Sequence, residues 1–373
     1  MQAVILAGGK GTRLHPLTAN IPKPLTPMFN RPVMEHTLEL LAKHGIRDVI
    51  VTLSHLAHEI VDYFGDGEKL GVDIRYSMEE TPKGTAGGVK ELQPLLDGTF
   101  LVVSGDAVTD FDITAALEFH RRKSAIATLL LHEVDDPSEF GVVSTSPDGQ
   151  VTRFFEKPKA EEVFSHTVNT GIYILEPEAL SCIPYDTPYD FGRELFPHML
   201  RNMEPVFGCK PDGYWCDIGN LAQYRNAHFD ALMGKAKLRI TGTEIEEGVW
   251  VGDDCDVHST ARLTGPVFIG DGAEVRRNVS VGALSVVGDR TLLDEASTVR
   301  RSIVGNGAFI GRASRVTDCV IGTGYRVVDH GDVHNRVVTV IGDRMIHSTW
   351  DADDVPSIRI NGISDVNASP LAA

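Results

Sequence analysis

Up to about residue 235 the chain alternates short apolar runs with stretches of helical period. AVILAG, DVIVTL, VDIRYS and FLVVSGD read as strands, and VMEHTLELLAKHG, LAHEIVDYF and GTAGGVKELQPLL read as helices between them. Strand-helix-strand repetition of this kind predicts a mostly parallel sheet with helices on both faces, whose active site lies at the carboxyl ends of the strands. Two segments fall at such ends: Gly8 to Arg13 after the first strand, and Gly105-Asp106 after FLVVS. Further on, GVVSTSPDGQVTRFFEKP reads as two strands joined by a Pro-Asp-Gly turn, and FGCKPDGYWCDIG as a second such pair, both antiparallel additions to the sheet.

Beyond residue 240 helical periodicity stops and an aliphatic-glycine pair recurs. It occurs at Val251-Gly252, Ile269-Gly270, Val281-Gly282, Val287-Gly288, Val304-Gly305, Ile310-Gly311, Ile321-Gly322 and Ile341-Gly342. Several of the gaps are six or a multiple of six, and others miss by one or two. The pattern predicts a parallel β-helix of hexapeptide repeats, each aliphatic side chain pointing inward and each glycine permitting a corner. Chance Val/Ile-Gly pairs in an antiparallel domain are the alternative. The predicted division is 1–235, then a β-helix over 240–345, then a tail over 346–373 without clear period.

Composition narrows the partners. The chain has 373 residues, 42% of them hydrophobic, which is enough for two cores. Its formal net charge of -17 disfavours nucleic acid and anionic membranes, which bind basic faces. The chain runs from Met1 directly into Ala3-Val4-Ile5-Leu6 and carries no long apolar stretch, so a cytoplasmic location is expected. Cys182, Cys209, Cys216, Cys255 and Cys319 form no Cys-x-x-Cys, which suits reduced thiols and no structural metal.

The opening glycines suit phosphate. Leu14 stands where a dinucleotide fingerprint needs its third glycine, and no Gly-Lys-Ser/Thr completes a Walker loop. A strand-end turn remains, in which the backbone N–H groups of Gly8, Gly9 and Gly11 face a triphosphate and Arg13 supplies a forked cation. A tight turn without ligand is the alternative, and Arg13 and Lys23 in so acidic a chain weigh against it.

LAGGKGTRLHPLTANIPKPL resembles the signature of the sugar-1-phosphate nucleotidyltransferases, the NDP-sugar pyrophosphorylases. GTAGG at 84–88, VVSGDAVTDFD at 102–112, FFEKP at 154–158, NTGIYILEPEAL at 169–180 and DGYWCDIGN at 212–220 are similar to successive motifs of that family in family order. The resemblance implies a Rossmann-like catalytic domain followed by a left-handed parallel β-helix used for homo-oligomer contacts. Within the family the likeness is strongest to the mannose-1-phosphate guanylyltransferases. It implies Mg²⁺-dependent nucleotidyl transfer from GTP to mannose 1-phosphate, giving GDP-mannose and pyrophosphate. Uridylyl or thymidylyl transfer to glucose 1-phosphate or a related sugar, and a non-catalytic regulatory subunit that binds nucleotide sugar, are the alternatives.

The same resemblance assigns residues. Arg13 and Lys23 grip the phosphates, with Lys23 held extended by its flanking prolines, and Asp106 and Asp217 form a magnesium pair. Asp106 alone also reads as a helix cap, and Asp110 as a cap for the helix starting near Asp112. Leu6, Ala7, Gly8, Gly9, Gly11, Thr12, Arg13, Glu79, Gly84 and Thr85 are placed on the nucleotide. Glu79 falls where relatives put a Gln or Glu against the base. A carboxylate there accepts guanine's two adjacent donors, while a solvated Glu79-Glu80 pair is the alternative. Gly105, Glu156, Lys157, Asn169, Thr170 and Gly171 are placed on the sugar phosphate. A surface Glu-Lys pair and an ordinary strand start are the alternatives for FFEKP and NTG. His330 and His334 raise a second, acetyl-transferring activity, which a short β-helix without a long loop does not favour. A sugar 1-phosphate, with a second pKa near ~6, is already a dianion at neutral pH, so the reaction needs positioning and charge neutralisation rather than a general base.

Overall fold

The computed structural model describes residues 1–9, 11–341 and 344–349. It divides into two units: Met1–Lys10, Pro22–Leu25 and Pro32–Asp217 in one, Gly11–Ile21, Thr26–Arg31 and the chain from Ile218 onward in the other.

In the first unit the predicted alternation becomes β1 (Gln2–Leu6), α1 (Val33–Lys43), β2 (Asp48–Leu53), α2 (Ala57–Phe64), β3 (Asp73–Met78), α3 (Gly84–Glu91), β4 (Phe100–Ser104), β5 (Ala107–Thr109) and α4 (Ile113–Lys123). Then come β6 (Ala127–Glu133), β7 (Gly141–Thr145), β8 (Val151–Glu156), β9 (Thr167–Leu175), α5 (Phe196–Arg201), β10 (Val206–Cys209) and β11 (Trp215–Asp217). The main sheet has nine strands in the order β8-β7-β9-β4-β1-β2-β3, with β6 beside β9 and β10 beside β6. The pairs β1-β2, β1-β4 and β2-β3 are parallel, and β9 joins β4 antiparallel.

Both faces are covered. Ala3, Ile5, Val49, Val51, Leu101 and Val103 pack with Met34, Leu38 and Ile60 on one side. Val4, Ile50, Phe100 and Val102 pack with Ala86 and Val89 on the other. Alternate residues of one strand thus serve different cores, which is why these strands read as continuous apolar runs.

The Pro-Asp-Gly turn of β7 and β8 forms as expected, with β7 and β8 antiparallel. The second such pair does not. β10 lies parallel to β6, whereas β11 pairs antiparallel with β5. The segment around Tyr214 is captured by a distant one: Asp110 N–H donates to Tyr214 O (3.1 Å), Tyr214 N–H to Asp110 Oδ1 (2.6 Å) and Asp112 N–H to Asp212 O (3.2 Å). Asp110 is therefore not the helix cap. Asp112 is, accepting from Ala115 N–H at 3.0 Å at the start of α4.

The second unit contains a helix, α6 (Leu221–Leu232), and the stacked parallel strands of a β-helix. Three sheets of eight, five and five strands form its walls, apart from antiparallel strands at the ends of the first. Val251, Ile269 and Val287 stack in register, as do Val287, Val304 and Ile321. The glycine after each is required by close approach: a Cβ on Gly288 would lie 2.5 Å from Asn306 N, and one on Gly305 2.7 Å from Thr323 N. The last pair departs from the repeat. Val338 stacks on Ile321, Ile341 pairs antiparallel with Arg344, and Gly342 lies outside the described residues. The tail beyond 349 also lies outside them.

Segments 11–21 and 26–31 belong to this unit. Tyr224 OH donates to Pro27 O (2.7 Å), Asn30 Nδ2 to Asp289 Oδ1, and the Phe29 ring meets His228 edge-on at 5.2 Å. None of the five cysteines forms a disulfide. Among the described residues no helix is long and apolar enough to cross a membrane.

Candidate active site

The chain continues from β1 to β2 on one side, while β4 lies on the other, so the carboxyl ends of β1 and β4 flank a topological switch point. Leu6 is level with Ser104, and Gly105 N–H donates to Leu6 O at 3.0 Å. A Cβ on Gly105 would sit 3.0 Å from Ile5 Cγ2, so glycine lets the exit of β4 hug β1. Asp106 follows directly. Asp217, on β11 opposite Ala107, arrives from over a hundred residues away.

Lys23 stands between them. Its Nζ is 2.6 Å from Asp106 Oδ2 and 3.6 Å from Asp217 Oδ1, and the residue is only 8% exposed. Ser104 Oγ donates to the other oxygen of Asp106. Burial pushes the Asp106 carboxyl up, but the Lys23 charge and the hydrogen bonds from Lys23 and Ser104 outweigh it and hold the group below the usual carboxylate range. Lys23 is not held extended. It opens a 3₁₀ turn, Lys23–Leu25, closed by Leu25 N–H donating to Pro22 O at 2.9 Å, a geometry that the fixed φ of Pro24 accepts.

Two part-exposed carboxylates sharing one cation fit a magnesium ion. Among the described residues no third His, Cys, Asp or Glu completes a protein cage, so such an ion would take its other ligands from water and phosphate oxygens, as Mg²⁺ commonly does.

On the expected nucleotide side, Ala7 N–H donates to Thr52 O (3.1 Å), extending the β1-β2 pairing past Leu6. A Cβ on Gly9 would meet nothing within 4 Å, and one on Gly8 would only touch Ser54, so this backbone is approachable. Gly11, Thr12 and Arg13 belong to the second unit. Gly11 takes a left-handed φ of 62° before the 3₁₀ turn Thr12–Leu14, and Arg13 is exposed on that turn.

Glu79, not Glu80, is the half-buried member of its pair. Its N–H donates to Leu53 O (2.8 Å), and its carboxylate accepts from Lys83 N–H and lies over α3, where only glycine at position 88 leaves room for it. Burial pushes the Glu79 carboxyl up. Gly84 and Thr85 turn toward protein. Two N–H groups in the first turn of α3, from Ala86 and Gly87, both donate to Tyr189 O at 2.9 Å, and a Cβ on Gly84 would strike that same carbonyl. Thr85 Oγ1 donates to Asp190 Oδ2 (2.7 Å) and accepts from Phe191 N–H (3.1 Å).

The expected sugar side centres on Glu156. It is half-buried at the end of β8, wedged where Gly141 and Gly192 leave space, and no hydrogen-bond donor reaches it from the described residues. Burial, then the charge of Asp190, pushes its carboxyl up against the pull of Lys157 and Arg193. Lys157 is exposed and takes a left-handed φ of 49°. Asn169, Thr170 and Gly171 are not a strand start: the register of β9 on β6 slips between Asn169 and Tyr173, making a bulge with Gly171 at φ 78°. Asn169 braces it, donating from Nδ2 to Tyr173 OH (2.9 Å) and accepting from Gly171 N–H (3.2 Å). Thr170 Oγ1 is turned inward to Leu130 O at 2.7 Å.

Sequence reasoning passed over Asp190 and the turn Phe191–Leu195. The available signal was YDFGRE, an aspartate with a glutamate four residues on, close to a capping box. A cavity of about 260 Å³ lies elsewhere, in the second unit, lined by Leu17, Ile21, Phe29, Tyr224, Ile303 and Ile321 among others, and holds none of the expected site residues.

A family model described as nucleotidyl transferase matches residues 2–233, which span Lys23, Asp106 and Asp217. The chain belongs to the nucleotidyl transferase family. It is 40% identical over 318 residues to a UTP–glucose-1-phosphate uridylyltransferase of Synechocystis, covering 81% of this chain and 82% of that protein. It is 35% identical to a mannose-1-phosphate guanylyltransferase of Mycobacterium tuberculosis, covering 74% and 76%. Among solved structures, a putative glucose-1-phosphate thymidylyltransferase from Bacillus anthracis superposes with a TM-score of 0.56 at 26% identity, covering 61% of this chain and 94% of that one. Nucleotidyl transfer onto a sugar 1-phosphate is thus the activity class of this transferase.

Proposed function

We propose that this nucleotidyl transferase moves a nucleoside monophosphate from a nucleoside triphosphate to a hexose 1-phosphate with magnesium, releasing pyrophosphate. The observation that carries the reading is the Lys23 ammonium held between Asp106 and Asp217 at the exits of β4 and β11. One oxygen of the sugar phosphate dianion bonds to the α-phosphorus as the bond from that phosphorus to pyrophosphate breaks, so no proton is abstracted. Lys23 neutralises charge at the transferring group, Arg13 and the glycine turn bind the departing phosphates, and Glu156 accepts from sugar hydroxyls. Asp106 and Asp217 would hold a magnesium ion, which would supply further charge neutralisation to the phosphates when bound.

For the substrate pair, UTP with glucose 1-phosphate leads, supported by the 40% identity to the Synechocystis enzyme over four-fifths of both chains. GTP with mannose 1-phosphate is the second reading, supported by the carboxyl group of Glu79 at the expected base position, where its oxygens suit guanine's two adjacent donors, and by the guanylyltransferase relatives. Five cysteines without a disulfide support a cytoplasmic setting, and assembly through the β-helix belongs to the same reading.

The test is pyrophosphate release with GTP, UTP, dTTP, ATP and CTP against glucose 1-phosphate and mannose 1-phosphate, with Mg²⁺ and with EDTA. Release with UTP and glucose 1-phosphate, abolished by EDTA, is expected. Release confined to GTP and mannose 1-phosphate selects the second reading. Release unaffected by EDTA removes the metal, and no release with any pair leaves a regulatory nucleotide-sugar binder.

A further inference from the structure

Both carboxylate oxygens of Asp190 are engaged, one by a residue of α3 and the other by the turn that follows Asp190. Oδ2 accepts from Thr85 Oγ1 at 2.7 Å, and Oδ1 accepts from the N–H groups of Gly192 (2.9 Å) and Arg193 (3.1 Å). Its own N–H donates to Glu194 Oε2 at 2.7 Å. The residue before it, Tyr189, takes the N–H groups of Ala86 and Gly87, in the first turn of α3, on its carbonyl, and α3 carries Gly88, the seat of Glu79. Two residues after it stands Gly192, which with Gly141 makes room for Glu156. One short turn, built from residues 189–192, therefore fixes both the helix beneath the expected base reader and the wall behind the expected sugar acceptor.

We infer that Asp190 is a positioning residue that couples the two substrate subsites, through Thr85 and α3 on the nucleotide side and through Gly192 and Glu156 on the sugar side. The identities of the two ligands rest on the function proposed above; the coupling rests on the Asp190 network. A ligand that settles one wall settles the other through the same carboxylate, so each ligand tightens the second by an equal factor. Glu156 answers to the same charge, since Asp190 helps to push its carboxyl up.

The experiment is calorimetric titration of glucose 1-phosphate and of mannose 1-phosphate, each with and without UTP or GTP in EDTA. It is paired with initial rates over a two-substrate grid in Mg²⁺. Wild type is expected to bind its sugar 1-phosphate at least about fivefold more tightly with nucleotide present, the lower end of ordinary coupling. Asp190→Ala and Thr85→Val are expected to bring that factor close to one, the double variant to add nothing further, and Thr85→Ser, which keeps the hydroxyl, to retain it. Circular dichroism checks that each variant is folded. Wild-type coupling in folded Asp190→Ala, or independent losses in the two single variants, overturns the inference and leaves Asp190 a stability residue. A wild-type factor of one overturns it outright. Binding with coupling but no turnover overturns the proposed reaction alone, and no binding of either sugar 1-phosphate overturns both.

Discussion

Lys23 shows how much one side chain holds here. Its ammonium offsets two carboxylates that would otherwise face each other part-buried, and the Asp106 carboxyl stays low only because Lys23 and Ser104 outweigh burial. An acid with a lowered folded pKa contributes stability above its unfolded value and loses that contribution as pH falls through the folded one. In Lys23→Met the desolvation is left with weaker opposition, so Asp106 rises and its protonation begins at higher pH. The acid-unfolding midpoint followed by circular dichroism is therefore expected to move up, and turnover to fall by about 100-fold or more, the usual cost of removing one preorganised cation or donor. An unmoved acid limb would mean that Ser104 alone sustains the carboxylate. Lys23, Asp106 and Asp217 were singled out by three separate motifs of the family resemblance, and the structure brings the three side chains together. Asp190 was silent: its partner Thr85 lies 105 residues away, and neither is unusual where it stands.

Elements were legible where one period ran unopposed. The strands of the parallel sheet and the helices α1 to α3 follow from their apolar spacing, whereas β11 was misjoined because a Pro-Asp-Gly turn looks the same whichever strand later captures its far side. The bulge in β9 was hidden because the apolar run at 172–175 dominates the reading of this strand; Gly171 is the one local signal of a bulge, and only the partner's register reveals the extra residues. Helix α3 offers a test that separates element from site. A Cβ at Gly88 meets no backbone, only the end of the flexible Glu79 side chain, so Gly88→Ala forces Glu79 aside and leaves the helix intact. Replacing an interior helical glycine by alanine is worth about 0.5–1 kcal/mol in favour of the helix. The melting temperature is thus expected to hold or rise, while the KM for the nucleoside triphosphate rises and discrimination between UTP and GTP weakens. A variant with unchanged nucleotide KM and preference would take Glu79 out of the nucleotide site.

Across the whole chain the β-helix was the easiest part to see and the hardest to count. Coils stack 18 residues apart from Val251 to Val287 and 17 apart from Val287 to Val338. The change falls at one corner. Gly282 N–H still reaches Val299 O and Thr298 lies 18 residues above Ser280, yet Ile303 is only 17 above Val286, so a residue has been lost around Arg301. Leu284 takes a left-handed φ of 59° at this corner in the longer coil, and Arg301, Asp318 and Asn335 take φ of 47°, 52° and 52° in the shorter ones. Inward positions thus keep a strict spacing within each strand, while corners absorb the difference, which is why the aliphatic-glycine pairs missed a period of six without losing the repeat. One glycine inserted after Arg301 restores the longer coil and keeps Ile303, Val304 and everything beyond in their inward or outward sense, so folded protein with a modest fall in melting temperature is expected. The same glycine inserted between Ile303 and Val304 turns every later residue of that strand to the wrong side, a slip of one in a period of two. Val304 is 1% exposed in a core shared with Val287 and Ile321, so this second insertion is expected to give no cooperative melt or soluble product. Equal damage from the two insertions would mean that the corner at Arg301, held by its bond to Asp318 at 2.8 Å, is as rigid as the strands it joins.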